Sequence, residues 1–221
     1  MNWTPSPNFQ PRPQDAVIDM LVLHYTGMQS RDAALARLCD AAAEVSAHYL
    51  IDEAGEITQL VAEENRAWHA GKSSWRGHAD VNSRSIGIEL VNPGHEFGYR
   101  PFPGAQIAAL TDLAGTILAR WPIPARNVVG HSDVAPTRKM DPGGLFPWRR
   151  LAEAGIGLWP EPAPAGGDAA PRLRQYGYGW DKEADLETVI AAFQRHFRPS
   201  RCDGKFDAET DAALNGLIHQ L

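Results

Sequence analysis

The chain has 221 residues, of which 43% are hydrophobic and 22% are charged, and its formal net charge is −6. This composition is that of a globular protein, and the length allows one sizeable core with a small second domain. The acidic balance and the lack of a dense lysine and arginine block argue against nucleic acid, or an anionic membrane surface, as the main partner. No stretch approaches the ~20 apolar residues that a membrane-spanning helix needs.

The first fifteen residues are polar and contain Pro5, Pro7, Pro11 and Pro13. We expect an extended arm without regular strand pairing, because proline has no backbone N–H to donate to a sheet. A secretory signal peptide requires an apolar central stretch, which this segment lacks. The expected location is therefore the cytoplasm, and non-classical export to the periplasm or the exterior is the alternative.

The next segments predict a strand, a helix and a hairpin. Residues 16–24 are nearly all apolar, which favours a central strand buried on both faces of a sheet. Ser30 can cap a helix that runs to about Val45, in which many alanines support helicity. Residues 47–51 and 57–61 have the pattern of strands, and the turn residues between them predict a hairpin.

The following segments complete a mixed α/β pattern. Residues 68–78 are rich in Gly, Ser, His and Trp without any period, which predicts a long surface loop. Residues 85–91 alternate as a strand, in which Glu89 needs a partner or a function because burying an unpaired carboxylate is costly. Residues 104–121 have the spacing of an amphipathic helix, and 147–154 predict a short helix. The predicted fold is α/β, with a mixed central β-sheet flanked by helices.

The composition changes abruptly near the C-terminus. Residues 159–171 are dominated by Pro, Ala and Gly, which is typical of a linker. We therefore predict a first domain over 1–158 and a small helical domain over 172–221. Helices are predicted at 186–197 and 208–221, and a three-helix arrangement is the simplest interpretation. A module this small is better suited to binding than to chemistry.

The segment Gly130–Gly144, GHSDVAPTRKMDPGG, concentrates side chains that can carry chemistry. It offers His131 and loop carboxylates, which are zinc-ligand types, and a catalytic zinc site needs three protein ligands with one open position. His24, at the end of the first predicted strand, is the best candidate for the third ligand. Asp133 competes with Asp141 for the carboxylate position, but it follows His131 so closely that loop capping suits it better.

Several motifs together resemble the type 2 family of N-acetylmuramoyl-L-alanine amidases, over roughly residues 15–155. The tail is similar to the helical peptidoglycan-binding module that often accompanies such enzymes. The amidase motifs are LHYT (23–26), SAHYLID (46–52), WHAG (68–71), SIGIELVN (85–92) and GHSDVAPTRKMDPG (130–143), and those of the tail are AAFQRHFRP (191–199) and DGKFDAET (203–210).

The resemblance implies a set of site residues. His24, His131 and Asp141 match the family's zinc ligands, and two imidazoles with one carboxylate leave a positively charged centre. Glu89 matches the acid expected to take a proton from the attacking water and to deliver it to the leaving amine. Lys139 matches the lysine expected to stabilise the oxyanion. Without the resemblance, Asp141 would be a turn residue, Glu89 a paired strand acid and Lys139 a solvated charge.

Four more residues are candidates for substrate contact. Trp68 and His69 lie in the tryptophan-rich loop, where an aromatic ring can flank a sugar. His48 can contact the substrate or anchor its strand by a hydrogen bond, and the structural role is favoured. Asn92 ends the SIGIELVN motif. His95 is expected to be a surface residue.

These residues predict a zinc-dependent amidase that hydrolyses the lactyl amide between N-acetylmuramic acid and the L-alanine of a peptidoglycan stem peptide. The expected partner is peptidoglycan or a soluble muropeptide, in cell-wall turnover and recycling. A wall-lytic amidase exported without a classical signal is the first alternative. A non-catalytic peptidoglycan recognition protein is the second, and it is disfavoured because all five catalytic and metal positions are filled.

Overall fold

The computed structural model describes residues 1–161, 163–164, 166–181 and 185–221. The strands are β1 (Asn2–Trp3), β2 (Phe9–Pro11), β3 (Met20–Tyr25), β4 (Tyr49–Ile51), β5 (Ile57–Gln59), β6 (Asn65–Ala67), β7 (Ser85–Leu90) and β8 (Val128–Gly130). The helices are α1 (Arg31–Leu38), α2 (Val81–Arg84), α3 (Gly94–Phe97), α4 (Gly104–Arg120), α5 (His131–Val134), α6 (Trp148–Glu153), α7 (Ala169–Tyr176), α8 (Leu186–Phe197) and α9 (Ala208–His219). Short 3₁₀ turns cover Ala41–Ala43 and Ala125–Asn127.

Six strands form a mixed sheet in the order β1-β5-β4-β7-β3-β8. Three neighbouring pairs are parallel, namely β4 with β7, β7 with β3, and β3 with β8. Strands β4 and β5 form the predicted antiparallel hairpin. The remaining strands, β2 and β6, pair as a separate antiparallel ribbon. The predicted fold class, a mixed sheet flanked by helices, is therefore confirmed.

The central strand β3 is buried on both faces, as its apolar sequence predicts. Successive side chains of a strand point to opposite faces, so Leu21 and Leu23 pack on one side with Ile107 of α4. Met20 and Val22 pack on the other side, in a cluster that also contains the C-terminal helices α7, α8 and α9. Helices therefore cover both faces of the sheet.

The C-terminal helices share this second core with the sheet. Leu173 of α7, Phe193 of α8 and Leu214 of α9 are fully buried in the same cluster as Val22. Helix α7 begins at Ala169, inside the range predicted as a linker. Two residues of that range, 162 and 165, lie outside the described residues, as do 182–184 of the predicted C-terminal domain. The proposed boundaries at 158 and 172 stay predictions.

Two predictions about the first 80 residues are wrong. The N-terminal arm does pair, because Asn2–Trp3 lies beside β5 and Phe9–Pro11 lies beside β6. Its prolines are tolerated at sheet edges, where a missing N–H donor costs little. The loop at 68–78 is not a surface loop throughout, since the ring of Trp75 is 1% exposed. It packs edge-on against Tyr176 and Tyr178, which lie a hundred residues further along the chain.

The predicted helices differ from the observed ones mainly at their ends. The Ser30 side chain accepts a hydrogen bond from the Ala33 N–H, as expected of a cap, but helix α1 ends at Leu38 rather than near Val45. Helix α4 has the predicted buried stripe, which includes Leu110 and Ile117. Among the helices that the structure describes, none combines the length and apolar character needed to span a membrane.

Candidate functional site

The site lies where three neighbouring parallel strands end at one edge of the sheet. His24 is near the end of β3 and pairs in register with Glu89 of β7. On the other side of β3, Leu23 pairs with Gly130, the last residue of β8, so His131 follows at the same edge. Parallel topology thus brings together side chains that are 40 to 110 residues apart. Ligands commonly bind at the carboxyl ends of the strands in sheets of this kind.

His24, His131 and Asp141 converge on a single point. The two Nδ1 atoms lie 3.0 Å apart, and each is 3.1 Å from Asp141 Oδ2. All three side chains are buried, and they form a group that can hold a metal ion. This is the set that the sequence predicts, drawn from two strand ends and the loop after β8.

The hydrogen bonds of the His24 ring fix which nitrogen faces that point. The Ser85 hydroxyl donates to Val81 O at 2.7 Å, so its oxygen is free to accept from His69 Nε2 at 3.2 Å. His69 Nδ1 is then an acceptor for His24 Nε2–H at 3.0 Å. The proton of His24 is therefore on Nε2, and its Nδ1 lone pair points towards His131 and Asp141.

His131 is oriented by the same logic. Its Nε2 lies 3.1 Å from the carbonyl oxygen of Ala70, which can only accept a hydrogen bond. Its Nδ1 therefore carries the lone pair. Arg138 Nη2 donates to Ala70 O and to Lys72 O, both at 2.8 Å, and so holds the loop that presents this carbonyl.

The charges of the site follow from burial and proximity. Burial, with the neighbouring His131 ring as the second cause, lowers the pKa of the His24 imidazole to about 4. Burial and the His24 ring hold the pKa of His69 well below its usual value. At pH 7 the site therefore presents neutral imidazoles at His24 and His69.

This donor set fits zinc. Zn–N and Zn–O bonds are about 2.0–2.2 Å long, and three atoms that lie 3.0–3.1 Å apart can all be reached by one ion at that distance. Hydrogen bonds at the far nitrogens of ligating histidines, such as those to His69 and Ala70, are typical of metal sites. A zinc ion held by these three residues would keep a fourth position for water or substrate.

Glu89 faces the same cavity. Its Oε2 atom is buried and has no hydrogen-bond partner among the described residues. Burial, followed by the negative charge of Asp141, raises the pKa of the Glu89 carboxyl to about 8. A carboxyl group with such a pKa can exchange protons near neutral pH, which suits a general acid or base.

The cavity has a volume of about 500 Å³, and Glu89, His131 and Asp141 are among the residues that line it. Lys139 lines it, as do Trp68 and His69. The indole Nε1 of Trp68 is buried without a hydrogen-bond partner in the described chain, so it is available to a ligand. His95 is exposed, as expected, but it also lines the cavity and makes a 2.8 Å hydrogen bond with the Tyr25 hydroxyl.

His48, for which a structural role was favoured, and Asn92, a candidate for substrate contact, both make hydrogen bonds within the protein. His48 is fully buried, and its Nδ1 accepts from the Gly87 N–H at 2.9 Å. Asn92 donates to Arg100 O at 2.8 Å and accepts from the Gly94 N–H at 3.0 Å. Neither His48 nor Asn92 is among the described residues that line the cavity.

Sequence reasoning missed the residues that support His69. The His69 ring lies so close to Gly87 that a Cβ there would be 2.5 Å from His69 Cγ, so any other residue at position 87 would displace the ring. Ser85 completes the chain of hydrogen bonds. The available signal was a glycine inside a strand, which often marks the close approach of another group.

Asp133 lies apart from the metal-binding group, and its predicted capping role is confirmed. Its Oδ2 accepts from the Gly130 N–H at 2.7 Å, at the turn from β8 into α5. Its other two partners, Tyr178 and His196, come from the C-terminal region. The sequence gives no local signal for them.

Comparison with known proteins finds relatives that match most of the 221-residue chain. The family described as N-acetylmuramoyl-L-alanine amidase matches residues 13–144. The chain is 43% identical over 232 residues to the N-acetylmuramoyl-L-alanine amidase AmiD of Escherichia coli K12, covering 92% of this chain and 83% of that protein. It is 36% identical over 163 residues to the 1,6-anhydro-N-acetylmuramyl-L-alanine amidase AmpD of Haemophilus influenzae, covering 66% of this chain and 86% of that protein.

Solved structures extend the similarity to the C-terminal helices. The complex of E. coli AmiD with anhydro-N-acetylmuramic acid-L-Ala-D-gamma-Glu-L-Lys superposes with a TM-score of 0.84 at 41% identity, covering 95% of this chain and 92% of that one. The complex of AmpDH3 from Pseudomonas aeruginosa with anhydromuramic pentapeptide gives a TM-score of 0.85 at 36% identity, covering 98% of both chains. At this coverage, the C-terminal helices belong to the shared architecture.

Proposed function

This chain belongs to the N-acetylmuramoyl-L-alanine amidase family, and we propose that it is a zinc enzyme whose metal is held by His24, His131 and Asp141. It hydrolyses the amide between the lactyl group of N-acetylmuramic acid and the L-alanine of a peptidoglycan stem peptide. The convergence of two imidazole Nδ1 atoms and one carboxylate oxygen supports the metal assignment. Zinc, when bound there, supplies a Lewis acid that acidifies water and polarises the lactyl carbonyl.

Glu89 is the proposed proton carrier. Its buried Oε2 atom, which has no hydrogen-bond partner among the described residues, accepts the proton of the water that attacks the lactyl carbonyl. As the tetrahedral intermediate collapses, Glu89 returns that proton to the nitrogen of L-alanine, which leaves as an amine. One carboxyl group can serve both steps because its pKa of about 8 is close to neutral pH.

Lys139 is the proposed oxyanion donor. Lys139 lines the cavity two residues before Asp141 and is only partly exposed. A fixed positive charge at this place stabilises the negative oxygen of the tetrahedral intermediate more than the neutral carbonyl of the substrate. Its contribution is therefore to the chemical step.

Soluble anhydromuropeptides are the proposed substrate class, and the role is in peptidoglycan recycling. The AmiD and AmpDH3 complexes hold anhydromuramyl peptides, and AmpD is named for the 1,6-anhydro sugar. The cavity volume of about 500 Å³ suits part of such a molecule. Trp68, whose indole N–H has no partner in the described part of the chain, is proposed to contact the sugar or the lactyl group.

The decisive experiment measures release of the L-Ala-led peptide from a soluble anhydromuropeptide and from purified sacculi. Wild-type protein, chelator-treated protein and Glu89→Gln are compared. We expect zinc-dependent release that Glu89→Gln abolishes, with faster turnover of the soluble substrate. Preference for sacculi would identify a wall-lytic enzyme. A zinc-loaded wild type that bound muropeptide without releasing peptide would be a recognition protein, and the enzymatic assignment would fail.

The C-terminal helices are proposed to bind peptidoglycan in addition, since the motifs at 191–199 and 203–210 resemble a peptidoglycan-binding module. Such a contact raises the effective concentration of substrate near the site. The test uses full-length Glu89→Gln protein on sacculi, with the active site saturated by soluble muropeptide. Retention on the sacculi would support a second contact, and complete release would contradict it. The cytoplasmic location stays a prediction, which cell fractionation tests.

A further inference from the structure

A buried carboxylate beside the site joins the two parts of the chain. Asp133 lies two residues after His131 and is 0% exposed. Its Oδ2 accepts from the Gly130 N–H and from His196 Nδ1, each at 2.7 Å. Its Oδ1 accepts from the Tyr178 hydroxyl at 2.5 Å. Of the three donors that the described residues supply to Asp133, two therefore come from the C-terminal region.

Both donors are held firmly in place. The His196 ring is stacked on Trp148 of α6, with ring centres 3.7 Å apart and an angle of 20°. The Tyr178 ring packs edge-on against Trp75, with centres 5.3 Å apart. Both side chains are 2% exposed, so neither can turn to solvent without opening the core. The carboxylate is thus held between rigid aromatic neighbours.

Asp133 in turn fixes the backbone that carries two of the proposed metal ligands. Its bond to the Gly130 N–H sets the turn from β8 into His131. The next residue, Ser132, donates its backbone N–H to Asp141 O at 2.8 Å, which ties the other end of the loop to the same turn. The backbone at Gly130 is closely packed, because a Cβ there would be 2.7 Å from Pro142 Cδ. A shift of Asp133 would therefore move His131 and Asp141 together.

We propose that His196 and Tyr178 are positioning residues for the active site, which act by holding Asp133 and through it the turn that carries His131 and Asp141. The C-terminal helices are then a structural part of the catalytic centre, whatever wall-binding role they also have. This inference rests on the proposed function in one respect, the assignment of His131 and Asp141 as metal ligands.

The alternative is that the contact stabilises the fold and nothing more. A buried carboxylate that loses one of its donors destabilises any protein, since the remaining charge is poorly compensated. A measurement of stability alone cannot distinguish a positioning role from a purely stabilising one. Zinc affinity and kcat distinguish them, because a contact that only stabilises the fold leaves zinc affinity and kcat unchanged in the molecules that remain folded.

The experiment compares Tyr178→Phe, His196→Leu and His196→Asn with the matched control Tyr176→Phe. Tyr176 belongs to the same buried cluster, and its hydroxyl makes no hydrogen bond to Asp133 in the described chain. Asparagine can place an amide N–H near the position of histidine Nδ1, so His196→Asn tests rescue. Each full-length variant is measured for zinc affinity by competition with a chromophoric chelator, for kcat and KM on a soluble anhydromuropeptide, and for Tm.

We expect Tyr178→Phe and His196→Leu to lose about tenfold in zinc affinity and in kcat, as is typical of outer partners of metal ligands. KM should change little, and His196→Asn should recover most of the loss. Zinc affinity and kcat equal to those of Tyr176→Phe would overturn the proposal, even if Tm falls. If His196→Leu does not fold, Tyr178→Phe still decides the question, because it removes a single oxygen atom.

Zinc affinity and kcat also distinguish a failure of the positioning role from a failure of the proposed enzymatic function. If the wild type binds zinc but cleaves no muropeptide, the enzymatic assignment fails while the zinc affinities of the variants still test the positioning role. If the wild type cleaves muropeptide and the variants keep their zinc affinity and kcat, only the positioning role fails.

Discussion

The Nδ1 atoms of His24 and His131 lie 3.0 Å apart, and in the neutral tautomers that the other partners of each ring select, neither Nδ1 carries a proton. Each ring uses its N–H at Nε2, His24 towards His69 and His131 towards Ala70 O. Two lone pairs at this distance repel each other, and the Asp141 oxygen 3.1 Å from both adds a negative charge. A cation at the centre resolves all three repulsions at once, which is why this geometry indicates a metal site.

Replacing Asp141 with asparagine is expected to weaken zinc binding more than any change outside the three ligands. The amide keeps the shape of the side chain but removes the only negative charge of the ligand set. We expect a loss of at least about 100-fold in affinity, beyond that for outer partners of a metal site. Chelator competition measures it, and added zinc should raise the Tm of the wild type much more than that of the variant.

The control for this prediction is Asp112→Asn, on the exposed surface of α4. It should bind zinc as the wild type does. Equal zinc affinity in Asp141→Asn and Asp112→Asn would exclude Asp141 as a ligand.

Glu89→Gln is expected to lower kcat by about 10² to 10⁴, the usual range for loss of a general acid or base. Glutamine cannot carry the proton from water to the leaving amine, but it fills the same space beside β3. Zinc affinity should therefore stay close to that of the wild type. Glu96 also lines the cavity and is exposed, so Glu96→Gln is a matched control with nearly normal kcat. Similar kcat in both variants would remove Glu89 from the mechanism.

Lys139→Met is expected to lower kcat by about 10² to 10³, as loss of one oxyanion donor typically does. The methionine keeps most of the aliphatic stem and removes the charge. KM should change little, because the neutral carbonyl of the ground state gains less from the lysine than the oxyanion does. Lys72→Met is the control, since Lys72 is exposed and pairs only with Asp181 at 3.3 Å in the described chain. A rise in KM at unchanged kcat would instead assign Lys139 to substrate binding.

The sequence predicts the elements whose signal is local. Alternation locates β7, and the three-to-four residue spacing locates α4 and α8. The apolar run before His24 predicts a strand buried on both faces, and the parallel sheet then explains how His24 and Glu89 meet. For the site, two histidines at strand ends and a loop carboxylate were sufficient to suggest a metal, and the family resemblance selected Asp141 over Asp133.

The errors arise where the decisive contacts are distant in sequence. Trp75 sits in a segment without periodicity, and only its packing against Tyr176 and Tyr178 buries it. The His69 to Ser85 hydrogen bond likewise depends on how a loop folds over a strand. The N-terminal prolines were misleading because edge pairing tolerates residues that a central strand does not.

A last prediction concerns stability and pH, and it depends on Glu63. This carboxylate, whose side chain is 7% exposed, accepts hydrogen bonds from the Tyr49 hydroxyl at 2.6 Å, from Trp121 Nε1 at 2.5 Å and from the Arg120 guanidinium. Burial alone would raise the pKa of Glu63, but the hydrogen bonds from Arg120, Trp121 and Tyr49 outweigh it and leave the pKa below its usual value. The end of α4 is thereby tied to the residues around the β4–β5 hairpin.

Because the folded-state pKa of Glu63 is depressed, its stabilisation is fully present above the unfolded pKa of about 4.3 and is lost as pH falls through the folded pKa. At pH 7, Glu63→Gln should lower the free energy of unfolding by about 2 kcal/mol, the scale of hydrogen bonds to a charged group. This difference should shrink as urea unfolding is repeated at successively lower pH from pH 5, because the unfolded chain takes up a proton at Glu63 at a higher pH than the folded protein does. Glu64→Gln, at the exposed neighbouring position, should change stability by less than about 0.5 kcal/mol at every pH. A difference between wild type and Glu63→Gln that did not depend on pH would mean that the ionised carboxylate of Glu63 contributes no more to stability than its protonated form.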